Sequence, residues 1–326
     1  MGNQADRQSP RNAALIMKIP KNTHVAVLMG GWSPEREVSL RSGDACGRAL
    51  ESAGYRVTLL DVRRDIAAVL DELKPDVAFN ALHGKWGEDG TVQGILETLD
   101  IPYTHSGVLA SAVAMHKEKS KCLFRAAGVP VAESILVDIE EAAAAHPMAL
   151  PYVIKPVAQG SSVGVHIVPA GANNPVTSIV NERKLYGDKV MVERFVPGKE
   201  LTCAVMGDVA LGVIEIEPTV GFYDYEAKYA PGGSNHVLPA QIPQEVYRRV
   251  QQYSLCAHAA LGCKGISRAD FRYDDTPGGE QDLVILEVNT QPGMTGTSLV
   301  PELAAHAGHG FEQLVTWMVN DASVNR

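Results

Sequence analysis

The chain has 326 residues, 45% of them hydrophobic and 21% charged, which is a globular composition. A net charge of −9 and a pI near 5.6 argue against a nucleic-acid binder, whose affinity rests on basic contacts to phosphate. No apolar run reaches the roughly 20 residues of a membrane helix, and five scattered cysteines (Cys46, Cys122, Cys203, Cys256, Cys263) show neither CxxC nor zinc spacing, so they read as structural thiols in a reducing compartment.

Residues 1–23 are polar and contain proline, with only a short ALIM patch, and read as a disordered tail rather than a secretory leader. From residue 24 strand and helix patterns alternate: HVAVLMGG, SLRSGDACGRALESAG, YRVTLLDV, IAAVLDELK, DVAFNAL and TVQGILETLD predict βαβαβα. That order predicts a parallel sheet with ligand loops at the C-terminal ends of its strands. A long lysine-rich helix around ASAVAMHKEKSKCLFRAAG follows, ending at Gly128 and Pro130. A second unit carries the strands AESILV, YVIKPV and KVMVERFV, with DIEEAAAAH and a stretch near 175–186 as helices. The third begins at about 198 with a hairpin, KELTCAVMG and VALGVIEIEP, turning at Gly207 and Asp208. A loop over 219–239 is rich in glycine, proline and aromatics, and a loop of that length is usually functional or disordered. The helix EVYRRVQQYSLCAHAALG, a second hairpin and the helix FEQLVTWMVN complete the unit. The expected division is 24–113, 114–197 and 198–326, an α/β class with α+β character in the last two units.

The second hairpin is the most informative segment. Its last strand is apolar over 283–286 and then presents Glu287 and Asn289, which period-2 alternation puts on one face. SRADFRY puts Arg268 and Asp270 on one face in the same way, and the turn-like DDTPGGE joins the strands as an antiparallel pair. Hard oxygen donors gathered at a strand end suit Mg2+. Solvated edge residues would explain either strand alone; the pair, followed by the glycine-rich TQPGMTGTS, favours a ligand set.

Other loops fall at the same kind of edge. GGWSPEREVSLRSG (30–43) follows the first strand and opens a helix, where Gly30 and Gly31 permit close approach to free N–H groups, although GxGxxG is absent. Glu35 there either balances the helix dipole, the simpler reading, or binds a substrate ammonium. HGKWGEDG (83–90) follows the third strand; His83 and Glu88 are candidate substrate contacts, and a plain turn explains the segment equally well. In KPVAQGSSVGV (155–165), Gly160 and Gly164 bracket Ser161 and Ser162 in a loop whose N–H groups suit phosphate, with Lys155 to neutralise charge and no Walker A sequence anywhere. VERFVPGKE (192–200) links two apolar strands and offers, with Glu193, an adenine and ribose site. FYDYEAKY (222–229) reads as a lid that excludes water.

Together the motifs GGWSPEREVSL, HGKWGEDG, KPVAQGSSVGV, VERFVPGKE, FYDYEAKY, SRADFRY and LEVNTQPGMTGTS resemble the D-alanine–D-alanine ligases of the ATP-grasp superfamily. They run in family order across about residues 24 to 320. The resemblance implies a three-domain ATP-grasp fold with an N-terminal parallel-sheet domain and ATP gripped between the second and third domains. It implies that ATP phosphorylates the carboxylate of one D-alanine and that the amine of a second attacks the acyl phosphate. The implied setting is the bacterial cytoplasm, supplying peptidoglycan precursor, with a homodimer expected and no nucleic-acid or membrane partner.

By the same mapping Lys117, Lys155 and Lys228 would neutralise phosphate, and Glu193, Arg194, Val196 and Glu200 would contact adenine and ribose. Asp270, Glu287 and Asn289 would hold two Mg2+ ions, with Mn2+ as an alternative, bridging the phosphates. Glu35, helped by His83, would bind the ammonium of the first D-alanine, and Ser298 the carboxylate of the second. Arg268 and the Gly293 N–H would form the oxyanion site. Ser161, Tyr229 and Glu35 would tie the lid to the site, and Tyr229 speaks for D-alanine rather than D-lactate as second substrate. Two positions depart from the family pattern: Arg194 stands where many members have lysine, and Trp86 where glycine is common, which would narrow the pocket. Another ATP-grasp carboxylate–amine ligase would lack the Glu35, Ser161, Tyr229 set. A non-catalytic nucleotide-binding regulator would have lost a metal ligand or the lid lysine, and a dinucleotide oxidoreductase would carry its glycine fingerprint.

Overall fold

The computed structural model describes residues 22–218 and 233–326. The expected tail over 1–23 lies almost wholly outside the described residues, as do the FYDYEAKY segment, Lys228 and Tyr229.

Among the described residues twelve strands form three sheets. The first is parallel, in the order β2-β1-β3, with β1 at His24–Met29, β2 at Arg56–Asp61 and β3 at Val77–Asn80. Helices Arg36–Ser52 and Ile66–Leu73 make the crossovers, as the alternating pattern requires. β1 sends Val25 and Val27 into one core and Ala26 and Leu28 into another. It is therefore apolar from Val25 to Met29, the mark of a strand covered on both faces.

The second sheet is antiparallel, in the order β4-β7-β5-β6, from Ser134–Asp138, Tyr152–Pro156, His166–Val168 and Lys189–Arg194 as β4 to β7. It has a core of its own, in which Tyr152, Ile154, Val190 and Val192 meet Ile139 and Ile179. The third sheet runs β10-β9-β8-β11-β12, with β8 at Lys199–Met206, β9 at Val209–Pro218, β10 at Ser234–Val237, β11 at Ile266–Tyr273 and β12 at Leu283–Asn289. One face carries Cys203, Val213 and Phe271 against helix Gln244–Leu261 and Phe124. The other carries Ala204 and Ile214 into the core that Val25, Val27 and helices Leu299–His306 and Phe311–Asp321 also fill. The first and third sheets thus share one core. Each buried Val, Leu, Ile or Phe side chain there contributes about 1.5–3 kcal/mol.

Three local features differ from the sequence pattern. The lysine-rich helix is two helices, Val108–Met115 and Lys117–Ala126, broken at His116, whose backbone is extended. No glycine or proline marks that break; a tertiary contact makes it, because Lys117 N donates to Val157 O at 2.9 Å. Part of the expected long loop is β10, paired antiparallel with β9. Helix Leu299–His306 was hidden by Pro301, which falls in its first turn, where a missing N–H costs no helical bond.

Candidate active site

The loops after β1 and β3 lie side by side at the C-terminal edge of the parallel sheet. Ser33 Oγ donates to His83 O at 2.7 Å, and Ser39 Oγ bridges the two loops by accepting from Gly30 N and donating to Ala81 O. Glu35 sits at the N-cap of helix Arg36–Ser52, yet its side chain makes no capping bond. It reaches across to accept from Ser161 Oγ while remaining at the N-terminal end of the helix dipole. A Cβ on Gly84 would lie 2.3 Å from Glu35 Oε2, which is why the loop needs glycine there. His83 is buried with both ring nitrogens engaged, Nδ1 to Glu88 at 3.3 Å and Nε2 to Ser42 Oγ at 3.0 Å. Ser161 and Ser162 both hold left-handed backbone, φ 54° and 56°, a strained pair of the kind found at ligand clamps.

Glu35, His83, Glu88 and Ser161 line a cleft of about 900 Å³ whose opposite wall is the β11–β12 hairpin and the loop after it. Cross-strand register pairs Arg268 with Asn289 and Asp270 with Glu287, so all four share one face as alternation predicts. A bulge follows: Phe271 faces Ile285, leaving Leu286 as the extra residue, a device common beside active sites. Arg268 grips Asp270 through two bonds of 2.8 and 2.7 Å, and Thr202 Oγ1 donates to the same carboxylate at 2.6 Å. Glu287 pairs with Lys117 at 3.1 Å, and Asn289 Oδ1 accepts from Gln291 N at 2.9 Å. Among the described residues no three His, Cys, Asp or Glu side chains come together; the set here is two carboxylates and an amide, which are hard oxygen donors. Ser298 Oγ accepts from Thr295 N at 2.9 Å, and a Cβ on Gly293 would sit 2.8 Å from that oxygen, so Gly293 has no room for a side chain.

A second cleft of about 790 Å³ lies between the second and third sheets, and Lys117, Gln159 and Glu287 line both. Lys155, Glu193, Arg194, Val196 and Glu200 line the second, together with Asp270 and the bulged Leu286. Lys117 Nζ donates to Gln159 O at 2.6 Å, which fixes it at the junction. Glu193 is 3% exposed; one oxygen accepts from Lys155 at 3.0 Å and the other from Lys121. Burial first, then the charge of Lys117, pushes Lys155 down to about 8, with Glu287 opposing. Lys121 is also pushed below its ordinary value by burial. Arg194 turns its guanidinium to Asp282 at the rim, 2.5 Å away, which leaves its backbone to line the cleft. Arg272 donates to Val196 O at 3.0 Å and stands 3.6 Å from Glu200.

The family model described as "D-ala D-ala ligase C-terminus" matches residues 123–320, and that described as "D-ala D-ala ligase N-terminus" matches 65–106. The chain belongs to the D-alanine–D-alanine ligase family. The D-alanine–D-alanine ligase of Methylorubrum extorquens is 64% identical over 304 residues, covering 93% of this chain and 99% of that one. The solved D-alanine–D-alanine ligase from Bacillus anthracis complexed with ATP superposes with a TM-score of 0.77 at 29% identity, over 92% of this chain and 97% of that one. The VanG D-Ala:D-Ser ligase from Enterococcus faecalis superposes at 0.74 with 30% identity, over 92% and 99%. The architecture is accordingly the ATP-grasp fold of these ligases.

Every site residue expected from the ligase resemblance that lies among the described residues lines one of the two clefts. Lys121, Thr202, Ser42 and Gln291 were missed. Lys121 had a signal: Lys117, Ser120, Lys121 and Phe124 recur at helical spacing on the buried face of Lys117–Ala126. Trp86 lines neither ligase cleft. It faces Trp32 at 5.7 Å between ring centroids, in a separate cleft of about 370 Å³.

Proposed function

We infer that the protein is an ATP-dependent D-alanine–D-alanine ligase that forms D-alanyl-D-alanine through a D-alanyl phosphate, releasing ADP and phosphate for peptidoglycan precursor synthesis. The observation that carries the reading is the meeting of two clefts at Lys117 and Glu287. Phosphoryl transfer asks a protein mainly for position and charge neutralisation. The second cleft supplies both, with Lys117 and Lys155 as cations, an apolar floor at Val196 and Leu286, and Glu200 for ribose. The first cleft supplies the amino-acid side: Glu35 for the first ammonium, beside His83 and Ser161, and Ser298 for the second carboxylate. Arg268 and the Gly293 N–H flank the place where an oxyanion develops.

Mg2+ fits the donor set, because Asp270, Glu287 and Asn289 are hard oxygens on one face of paired strands whose present partners, Arg268 and Lys117, are themselves cations. Bound there, two Mg2+ ions would neutralise the phosphate charge. The division at 113 and 197 accords with the separate core of the second sheet. Among the described residues no helix is long and apolar enough to cross a membrane; a cytoplasmic homodimer completes the proposal.

The test is D-alanine-dependent phosphate release from Mg-ATP, with L-alanine and D-lactate as controls and the product identified by mass. D-alanyl-D-alanine supports the reading. Turnover only with another amino acid would overturn the substrate assignment, and an ester with D-lactate would overturn the preference for an amine.

A further inference from the structure

The loop carrying Gly293 and Ser298 belongs by sequence to the third sheet, but its buried bonds run to the first. Gln291, 1% exposed, accepts from Asn80 Nδ2 at 2.5 Å and donates through Nε2 to Leu82 O. Asn80, 0% exposed at the end of β3, also donates to Gly87 O at 3.0 Å and accepts from Leu82 N at 3.2 Å. Ser42 Oγ accepts from Met294 N at 3.3 Å while touching His83 Nε2. On the other side, Gln291 N holds Asn289 Oδ1 at 2.9 Å.

Gln291 thus lies between Asn289 and Gly293, with its side chain fastened to the strand edge that leads into His83. A buried amide pair is costly to leave half-made, so the two side chains specify one position of this loop.

We propose that Asn80 and Gln291 are positioning residues for acyl transfer: they hold the 290–295 loop against the first unit, so that the Gly293 N–H faces the acyl phosphate whose ammonium Glu35 and His83 hold, and Ser298 holds the attacking D-alanine beside it. The inference rests on the ligase reading for its chemistry, but the clamp itself does not. With the loop loosened, the attacking amine is placed less well. Water then takes the acyl phosphate, breaking the carbonyl carbon–oxygen bond and returning D-alanine and inorganic phosphate. ADP forms without dipeptide.

The experiment compares wild type with Gln291→Met, Asn80→Leu and the double variant; Gln291→Met keeps Asn80 bonded to Gly87 O and Leu82 N, takes a partner only from Leu82 O, and so is the one to rely on if another variant fails to fold. Dipeptide formed per ADP is expected to fall at least about threefold in each variant while KM for ATP stays within about twofold, because the nucleotide cleft is untouched. In the unliganded protein, amide exchange over 289–295 is expected to quicken about tenfold or more. That second readout needs no substrate, so a wild type that made no dipeptide would sink the ligase reading while the exchange data still judged the clamp. A folded Gln291→Met or double variant with wild-type dipeptide yield per ADP and wild-type exchange in this loop would overturn the proposal, as would a loss of thermal stability with yield and exchange unchanged.

Discussion

The two clefts are held together in opposite ways. The nucleotide side is built on strands β5, β7 and β11 and fixed by burial: Lys121, Glu193 and Lys155 are all nearly inaccessible and satisfy one another. The amino-acid side is built on loops and fixed by hydrogen bonds that cross between units, Ser161 to Glu35, Asn80 to Gln291 and Ser42 to Met294. Buried charges are strongly destabilising when one partner is removed, whereas a single hydrogen bond between neutral groups contributes only about 0.5–1.5 kcal/mol net. The nucleotide side should therefore fail as structure, and the amino-acid side as catalysis.

Glu287 belongs to both clefts and should give the largest effect: Glu287→Ala is expected to lower kcat by about 10³-fold, as loss of a several-kcal/mol charge-stabilising site would, in a steady-state coupled assay. Lys121→Met sharpens the contrast. Leaving Glu193 with one cation should cost about 3–5 kcal/mol of unfolding free energy, measured by urea titration, with a raised KM for ATP. A loss of kcat with no loss of stability would break the comparison.

Lys155 gives a pH signature on the same side. Held near 8, it is charged below that pH and neutral above it. kcat/KM for ATP, which reports on the free enzyme, should fall about tenfold per unit above about pH 8. In the unfolded chain the group titrates near about 10.4, so between about 8 and 10.4 the unfolded state holds more protons and this lysine makes stability rise with pH. Activity and stability then move in opposite directions across that window. On the other side Ser161→Ala should lower kcat by about tenfold, the worth of a bond to a charged group, with the urea midpoint nearly unchanged. The smallest effect is Trp86→Gly. Trp86 holds φ 81°, a glycine conformation, but packs against Trp32 and Lys85 away from both clefts, so kcat and KM should change less than about twofold.

The same contrast explains what could be read from the chain. Strands and amphipathic helices carry their periodicity locally, so the parallel sheet, both hairpins and the face shared by Arg268, Asp270, Glu287 and Asn289 were legible. The motif loops gave the amino-acid side its residues. What escaped depends on contacts distant in sequence: the break at His116 is made by Val157, and the Asn80–Gln291 pair spans 211 positions with nothing local to announce it. Trp86 was expected to narrow the substrate pocket, and only three dimensions could show it facing a different cleft.

The most direct test of the account follows oxygen. D-alanine labelled with 18O in its carboxylate, turned over with unlabelled Mg-ATP, should deliver one 18O atom to inorganic phosphate for each D-alanyl-D-alanine formed, because the carbonyl carbon–oxygen bond breaks when the amine attacks. Phosphate free of label beside a labelled dipeptide would contradict the joining of the two clefts through an acyl phosphate.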